Sequence, residues 1–313
     1  MDKPLIIFDT DMDTDCDDAG ALAMLLHAHL QNKIELLGMV ADSVCRYAAP
    51  CCEAIAESYG VSVPTGAIYA DDYAGEKRFE AYLKHTKNCA EKGLDYNRVF
   101  ANEIGKIDKD YPHAVTFYRK LLSNAEEKSV TVLCVGMLTA IAETLQSKPD
   151  EISLFSGTEL FAQKVKKVIC VGNPKKAPDF NWGMDAKSTE IFFRLCPTPI
   201  YISAEGKEVI TGNHLTTELP ETDLVRRAYE QWLKAKNTGR ASWDLIASLY
   251  AIDDNSSYIE VRDLGVCTYD ALAQITNVTK TESPKCKTLH LTCSNRQAEK
   301  VLNDYMLGKF NNI

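Results

Sequence analysis

The sequence predicts an α/β fold, an open and mostly parallel sheet with helices on both faces. Three observations carry that expectation. Short apolar runs of strand length alternate with stretches of helical period from the N-terminus to Ser203, the pattern of repeated βαβ units. The chain has 313 residues and 45% hydrophobic content, enough to bury one large core, so residues 1–313 are expected to form a single domain. A polar loop crowded with aspartates follows the first apolar run, which puts it at a carboxyl edge, where open α/β sheets bind ligands.

Taken in order, residues 5–8 (Leu-Ile-Ile-Phe) lie between Pro4 and the acidic loop and read as a short buried strand. Asp17 and Asp18 open the helical pattern of 19–30, at the helix end that favours negative charge. Residues 34–41 read as a strand and 48–59 as a helix. The charged, tyrosine-bearing stretch at about 67–111 fits no strand pattern and reads as an insertion over one face, a character common in lids and binding loops. A second set follows: helix 114–125, strand 129–135, helix 138–147, strand 167–171, helix 186–195 and strand 199–203. Toward the end, 218–235 and 242–250 read as helices, 287–293 as a strand and 295–306 as a terminal helix.

Composition narrows the function. A formal net charge of -9 with no basic stripe argues against a nucleic-acid surface, and Lys164, Lys166 and Lys167 read as a solvated helix end. No stretch approaches the roughly 18 apolar residues of a membrane span, and the N-terminus runs straight into a strand with no signal-peptide region, so a cytoplasmic protein is expected. The eleven cysteines sit mostly inside apolar runs and read as reduced core residues; the adjacent pair Cys51 and Cys52 fits a buried helix face better than a zinc site.

Asp9, Asp11, Asp13, Asp15, Asp17 and Asp18 fall within ten residues. Two carboxylates about 4 Å apart repel by roughly 4 kcal/mol at an effective dielectric near 20, so the cluster asks for a cation. Oxygen-only donors favour a hard ion over zinc, and calcium (Ca2+), which takes about six to eight oxygens in loose geometry, suits the loop better than magnesium. A helix-loop-helix calcium site is excluded, because neither its turn glycine nor its closing glutamate falls at the required spacing. Asp17 and Asp18 alone also fit a plain helix start.

Ile7-Phe-Asp-Thr-Asp11 followed by Asp17-Asp-Ala-Gly-Ala-Leu22 resembles the signature of the inosine-uridine nucleoside hydrolases, in a branch whose loop is two residues longer. Further matches come in the same order: Val135-Gly-Met-Leu-Thr-Ala-Ile-Ala142, Asp179-Phe-Asn-Trp-Gly-Met-Asp185 and Ser242-Trp-Asp244. The resemblance spans roughly residues 4–250 and implies the Rossmann-like nucleoside hydrolase fold. It implies calcium-dependent cleavage of a ribonucleoside to ribose and free base. Asp11, Asp15, Asp18, the Val135 carbonyl and Asp244 are the implied metal ligands. Asp11 or Asp15 is the implied base that takes a proton from water; Asp11 matches by distance from the strand and Asp15 by closeness to the Asp17-Asp18 pair. Asp17, Asp179, Asn181, Trp243 and the residue at Cys45 are implied substrate contacts. A small-molecule nucleoside partner and a homo-oligomer, dimer or tetramer, are implied as well.

Three departures bear on that reading. Asp13 stands where related loops favour glycine, a strain if the position needs positive φ. Cys45 stands where many members carry a ribose-binding asparagine, and on its own reads more readily as a core cysteine. Trp243 stands where purine-specific members place a histidine; an indole can stack on a base but cannot protonate it. His85 and His113, in or beside the insertion, are the histidines that could reach the pocket. Two rival functions follow: a calcium- and ribose-binding relative with impaired turnover, or a haloacid dehalogenase-type phosphatase, since Phe8-Asp-Thr-Asp-Met-Asp-Thr14 mimics that family's Asp-x-Asp-x-Thr.

Overall fold

The computed structural model describes residues 3–69 and 77–310. Strand β1 (Leu5–Thr10) is buried beyond its first residue, as a continuous apolar run requires of a strand covered on both sides. The parallel strands β2 (Glu35–Ala41) and β3 (Thr65–Ala67) extend the sheet on one side of it. On the other side lie β4 (Val130–Cys134), β5 (Val165–Val171) and β6 (Ile200–Ser203), also parallel. The short strands β7 (Ile210–Thr211) and β8 (Arg240–Ala241) form a separate antiparallel ladder. The far edge is built by β9 (Ile259–Asp270), β10 (Ile275–Thr279) and β11 (Cys286–Leu291). The nine-stranded order is β10-β9-β11-β6-β5-β4-β1-β2-β3, with β9 antiparallel to both of its neighbours.

Thirteen α-helices lie in the described chain: α1 (Asp17–Leu30), α2 (Ala48–Ser58), α3 (Glu80–Glu91), α4 (Tyr96–Glu103), α5 (Ala114–Asn124), α6 (Thr139–Gln146), α7 (Gly157–Lys164), α8 (Phe180–Met184), α9 (Ala186–Leu195), α10 (Leu215–Glu218), α11 (Leu224–Leu233), α12 (Trp243–Ile252) and α13 (Asn295–Met306). Alternation along β1 sends Ile6 and Phe8 into one core and Ile7 into the other. The first core holds α1, α2, α4, α11, α12 and α13, and the second holds α5, α6, α7 and α9. Each such apolar side chain contributes roughly 2 kcal/mol by leaving water. The sheet is thereby held rigid under the loops at its carboxyl edge.

Several expectations need correction. Helix 218–235 is two helices, α10 and α11, because Pro220 interrupts it and Asp223 starts the second by accepting the Arg226 backbone N–H at 2.9 Å. Lys167 is no part of a solvated helix end. It lies buried in β5, 2.9 Å from Asp254, with its ammonium over the Tyr250 ring, and burial lowers its pKa. Strand β1 runs two residues further than expected, which draws Asp9 out of the loop and into the sheet. Helix α7, set by a Ser156–Glu159 capping box, and the β9–β10 hairpin were not anticipated. The expected insertion begins within β3 and carries α3 and α4, while its residues 70–76 lie outside the described residues. All eleven cysteines are free, and all but Cys45 and Cys293 are buried, Cys51 and Cys52 on α2 among them. Among the described residues no helix is long and apolar enough to cross a membrane.

Candidate active site and metal centre

The acidic loop turns sharply after β1 because the Asp11 carbonyl accepts backbone N–H groups from Asp13 and Thr14, and the Thr14 hydroxyl donates to Asp11 Oδ2 at 2.9 Å. The six aspartates then part company. Asp9 faces away from the loop, accepting from the Tyr118 hydroxyl at 2.6 Å, and burial lifts its pKa to about 7. Asp13 turns toward α3, where it accepts from the Tyr82 hydroxyl; burial raises its pKa to about 6 against that hydrogen bond. Asp13 is not among the residues with positive φ, so no strain arises from the missing glycine. Asp15 is held by Arg240, whose Nε donates to both carboxylate oxygens at 2.9 and 2.8 Å and whose guanidinium lies 5.3 Å from the Trp243 ring centre.

That leaves Asp11, Asp17 and Asp18. The last two begin α1, and Asp244, in the first turn of α12, meets them there: the three carboxylates have oxygens within 4.8 Å of one another. The Asp244 backbone N–H donates to Asp17 Oδ2 at 3.4 Å, and the Thr10 hydroxyl donates to Asp18. Burial first, and neighbouring carboxylates second, push the pKa values of Asp11, Asp17, Asp18 and Asp244 well above the carboxylate range. Such a group is stable in its charged form only around a cation. The clustered donors are oxygens alone, so the residues present fit a hard divalent ion, and Val135 lines the same pocket.

These groups floor a pocket of about 390 Å³. Asp11, Asp15, Asp17, Asp18, Val135, Asp179, Asn181, Trp243 and Asp244 all line it. Cys45 does not line the pocket, since its thiol accepts from Asn97 Nδ2 at 3.4 Å under α4. Asn181 Nδ2 donates to the Val135 carbonyl at 2.7 Å, and Asp179 caps α8 by accepting from Trp182 and Asn173 backbone N–H groups. His85 of α3 reaches the pocket, edge-on to Phe180. His113 does not, because it caps α5 instead.

Sequence reasoning missed Arg240, Lys176, Lys207 and Trp232, which also line the pocket. No motif flags them. The Arg240–Asp15 pair joins residues 225 positions apart, and nothing in the sequence pattern links them.

A pocket at the carboxyl edge of a parallel sheet, lined by clustered carboxylates that fit a metal ion and by amide and indole groups, puts the chain in the class of α/β proteins that bind a ligand at their strand ends. The chain belongs to the inosine-uridine preferring nucleoside hydrolases, whose family model matches residues 6–301, and is thus one of the enzymes acting on N-glycosidic bonds. Solved structures share the fold. The inosine-uridine preferring nucleoside hydrolase of Bacillus anthracis is 15% identical with a TM-score of 0.66, the match covering 98% of this chain and 99% of that one. The purine-preferring ribonucleoside hydrolase of Gardnerella vaginalis is 15% identical with a TM-score of 0.68, covering 97% and 99%. The type III effector protein XopQ, complexed with adenosine diphosphate ribose, is 12% identical with a TM-score of 0.69, covering 99% and 94%. No curated protein sequence matches significantly. Family membership overturns the phosphatase alternative, whose nucleophile would be Asp9 or Asp11 at a differently built site.

Proposed function

We propose that this chain is a calcium-dependent ribonucleoside hydrolase. The observation that carries the proposal is the meeting of Asp17, Asp18 and Asp244, from α1 and α12, in the pocket that Asp11 and Val135 also line. Bound among Asp11, Asp18, Asp244 and the Val135 carbonyl, the ion supplies positive charge that offsets the carboxylates, orients vicinal hydroxyls and acidifies water.

The chain's own residues do the rest. Asp11 takes the proton of the attacking water, at a carboxylate whose Oδ2 is already fixed by the Thr14 hydroxyl. Asp15 is a poor candidate for base or ligand, because Arg240 and the Cys16 N–H occupy its oxygens. Asp17 accepts from a ribose hydroxyl. Asn181 and Asp179 set oxygen dipoles around the sugar, where positive charge develops as the C1′–N bond stretches. Trp243 offers the departing base an aromatic face; Cys45, outside the pocket, has no part.

Incubation with a panel of ribonucleosides and calcium should release reducing sugar, and chelation should stop it; no turnover on any ribosyl compound overturns the proposal. The proposal extends to a single-domain homo-oligomer, dimer or tetramer, acting on small nucleosides in the cytoplasm, and equilibrium sedimentation tests the assembly. A second reading, a ribose-binding protein without turnover, draws support from the place of Cys45 and from XopQ, solved with adenosine diphosphate ribose. Tight ribose binding without product would favour it.

Gly136 tests the base directly. A Cβ there would stand 2.5 Å from Asp11 Oδ1 and 2.6 Å from the Asp11 nitrogen, so alanine must displace Asp11, its backbone included. Gly136→Ala should lower kcat about a hundredfold, the scale of an ångström misplacement at a reacting group. An unchanged kcat would mean Asp11 is not where the chemistry happens.

A further inference from the structure

The pocket's rim differs in charge from its floor. Lys176 comes from the loop after β5 and Lys207 from the loop after β6, and both line the pocket. The two loops spring from neighbouring strands, with Val171 opposite Ser203 and the Gly172 N–H donating to the Ser203 carbonyl at 3.0 Å. Both roots are fixed. Asp179 Oδ2 accepts from the Asn173 N–H at 3.0 Å, and Glu205 accepts from the Leu291 N–H at 2.9 Å across β11.

Neither lysine makes a close structural ion pair, although the Lys176 charge acts on the Asp179 carboxylate across the pocket. Lys176 has no ion-pair partner among the described residues, and Lys207 reaches only Glu208 at 3.8 Å, with both side chains largely exposed. Exposed pairs of that kind contribute little. The other strong cation of the pocket, Arg240, is already engaged with Asp15. Between the lysines' roots lies Ser203, fully buried at the pocket wall, whose hydroxyl has no hydrogen-bond partner among the described residues. A buried hydroxyl left unpaired is costly, and unlike the unpaired hydroxyls of Ser188 and Ser248 this one belongs to a residue that lines the pocket, where a ligand oxygen would pair with it.

A neutral nucleoside offers these groups hydrogen-bond partners but no counter-charge. Its vicinal hydroxyls go to the acidic floor and its base to the indoles of Trp232 and Trp243 on the α11–α12 side, which leaves the 5′ carbon as the sugar's remaining exocyclic arm. We propose that the site takes a ribose bearing a phosphate at the 5′ carbon, held by Lys176, Lys207 and the Ser203 hydroxyl. This rests on the hydrolase reading above. A phosphomonoester carries close to two negative charges and several acceptor oxygens, which suits two ammonium groups from separate loops and one hydroxyl donor. It also explains why a chain of net charge -9 places its unpaired pocket cations at the mouth, where they offset repulsion by the floor. Hydrolysis then adds water across the C1′–N bond, with hydroxyl to the sugar and a proton to the base, and yields ribose 5-phosphate.

The test compares one nucleoside with its 5′-monophosphate in the presence of calcium. The ratio of kcat/KM values should favour the monophosphate about tenfold or more at low salt and shrink as salt screens the lysines. In Lys176→Ala/Lys207→Ala the ratio should fall about tenfold, in Lys176→Glu/Lys207→Glu it should invert, and Ser203→Ala should lower it by a smaller factor. Calorimetry with ribose 5-phosphate against ribose reads the same preference without turnover, so a failure of the hydrolase reading is told apart from a failure of this one. A wild-type protein that prefers the unphosphorylated compound in both assays, or a double variant that keeps the wild-type ratio, overturns the proposal.

Discussion

Asp18→Ala and Asp244→Ala should each abolish calcium binding and turnover together, with kcat falling about a thousandfold or more. The size follows from the loss of several kcal/mol of charge stabilisation when the ion leaves, at about 1.4 kcal/mol per tenfold. The stability change has the opposite sign to that of an ordinary core mutation. Asp17, Asp18 and Asp244 are buried within 4.8 Å of one another, so without calcium each carboxylate destabilises its neighbours and alanine relieves them. The metal-free variants should therefore melt at or above the temperature of the metal-free wild type. Calcium at a hundred times its Kd should stabilise the wild type by about 2.7 kcal/mol and leave the variants where they were. Calorimetric titration beside thermal melts decides the matter; unchanged calcium affinity in both variants refutes the site.

The parts of this site that the sequence announces are those written in one short stretch. Pro4 and the apolar run fix β1, and the aspartates behind it can only emerge at the sheet's carboxyl edge. Asp179, Asn181 and Asp244 were recognisable only through the short motifs that resemble the nucleoside hydrolases, each contiguous in the chain. What stayed hidden depends on residues far apart. Nothing in residues 9–18 says that Asp9 faces Tyr118, that Asp13 faces Tyr82 or that Asp15 faces Arg240, and those three partners take Asp9 and Asp13 out of the pocket and tie up Asp15 within it. The β9–β10 hairpin escaped notice because its exposed outer edge lacks a clean apolar alternation. Lys167 misled for the converse reason. A lysine can be buried in a strand when a carboxylate and two tyrosine rings receive its ammonium, and none of these is near it in sequence.

That sorting leads to the sharpest contrast among the loop variants, Asp11→Asn against Asp15→Asn. The resemblance left both as candidate bases. Asp11 lines the pocket floor with its Oδ2 fixed by Thr14 and its Oδ1 against Gly136, free to take a proton. Asparagine keeps an oxygen near the metal but cannot accept that proton, so turnover should fall about a hundredfold or more while calcium affinity falls less. Asp15 instead pairs with Arg240, and its backbone carbonyl accepts from the Tyr96 hydroxyl at 2.7 Å. Asparagine there leaves a guanidinium with one charged partner fewer beside the metal carboxylates. The expected result is a loss of thermal stability on the order of 1–2 kcal/mol with kcat changed by less than about tenfold. Steady-state rates and melts of the two proteins separate the roles. A hundredfold fall in kcat for Asp15→Asn with Asp11→Asn near wild type would transfer the base to Asp15, and would mean that the Arg240 pair opens when substrate binds.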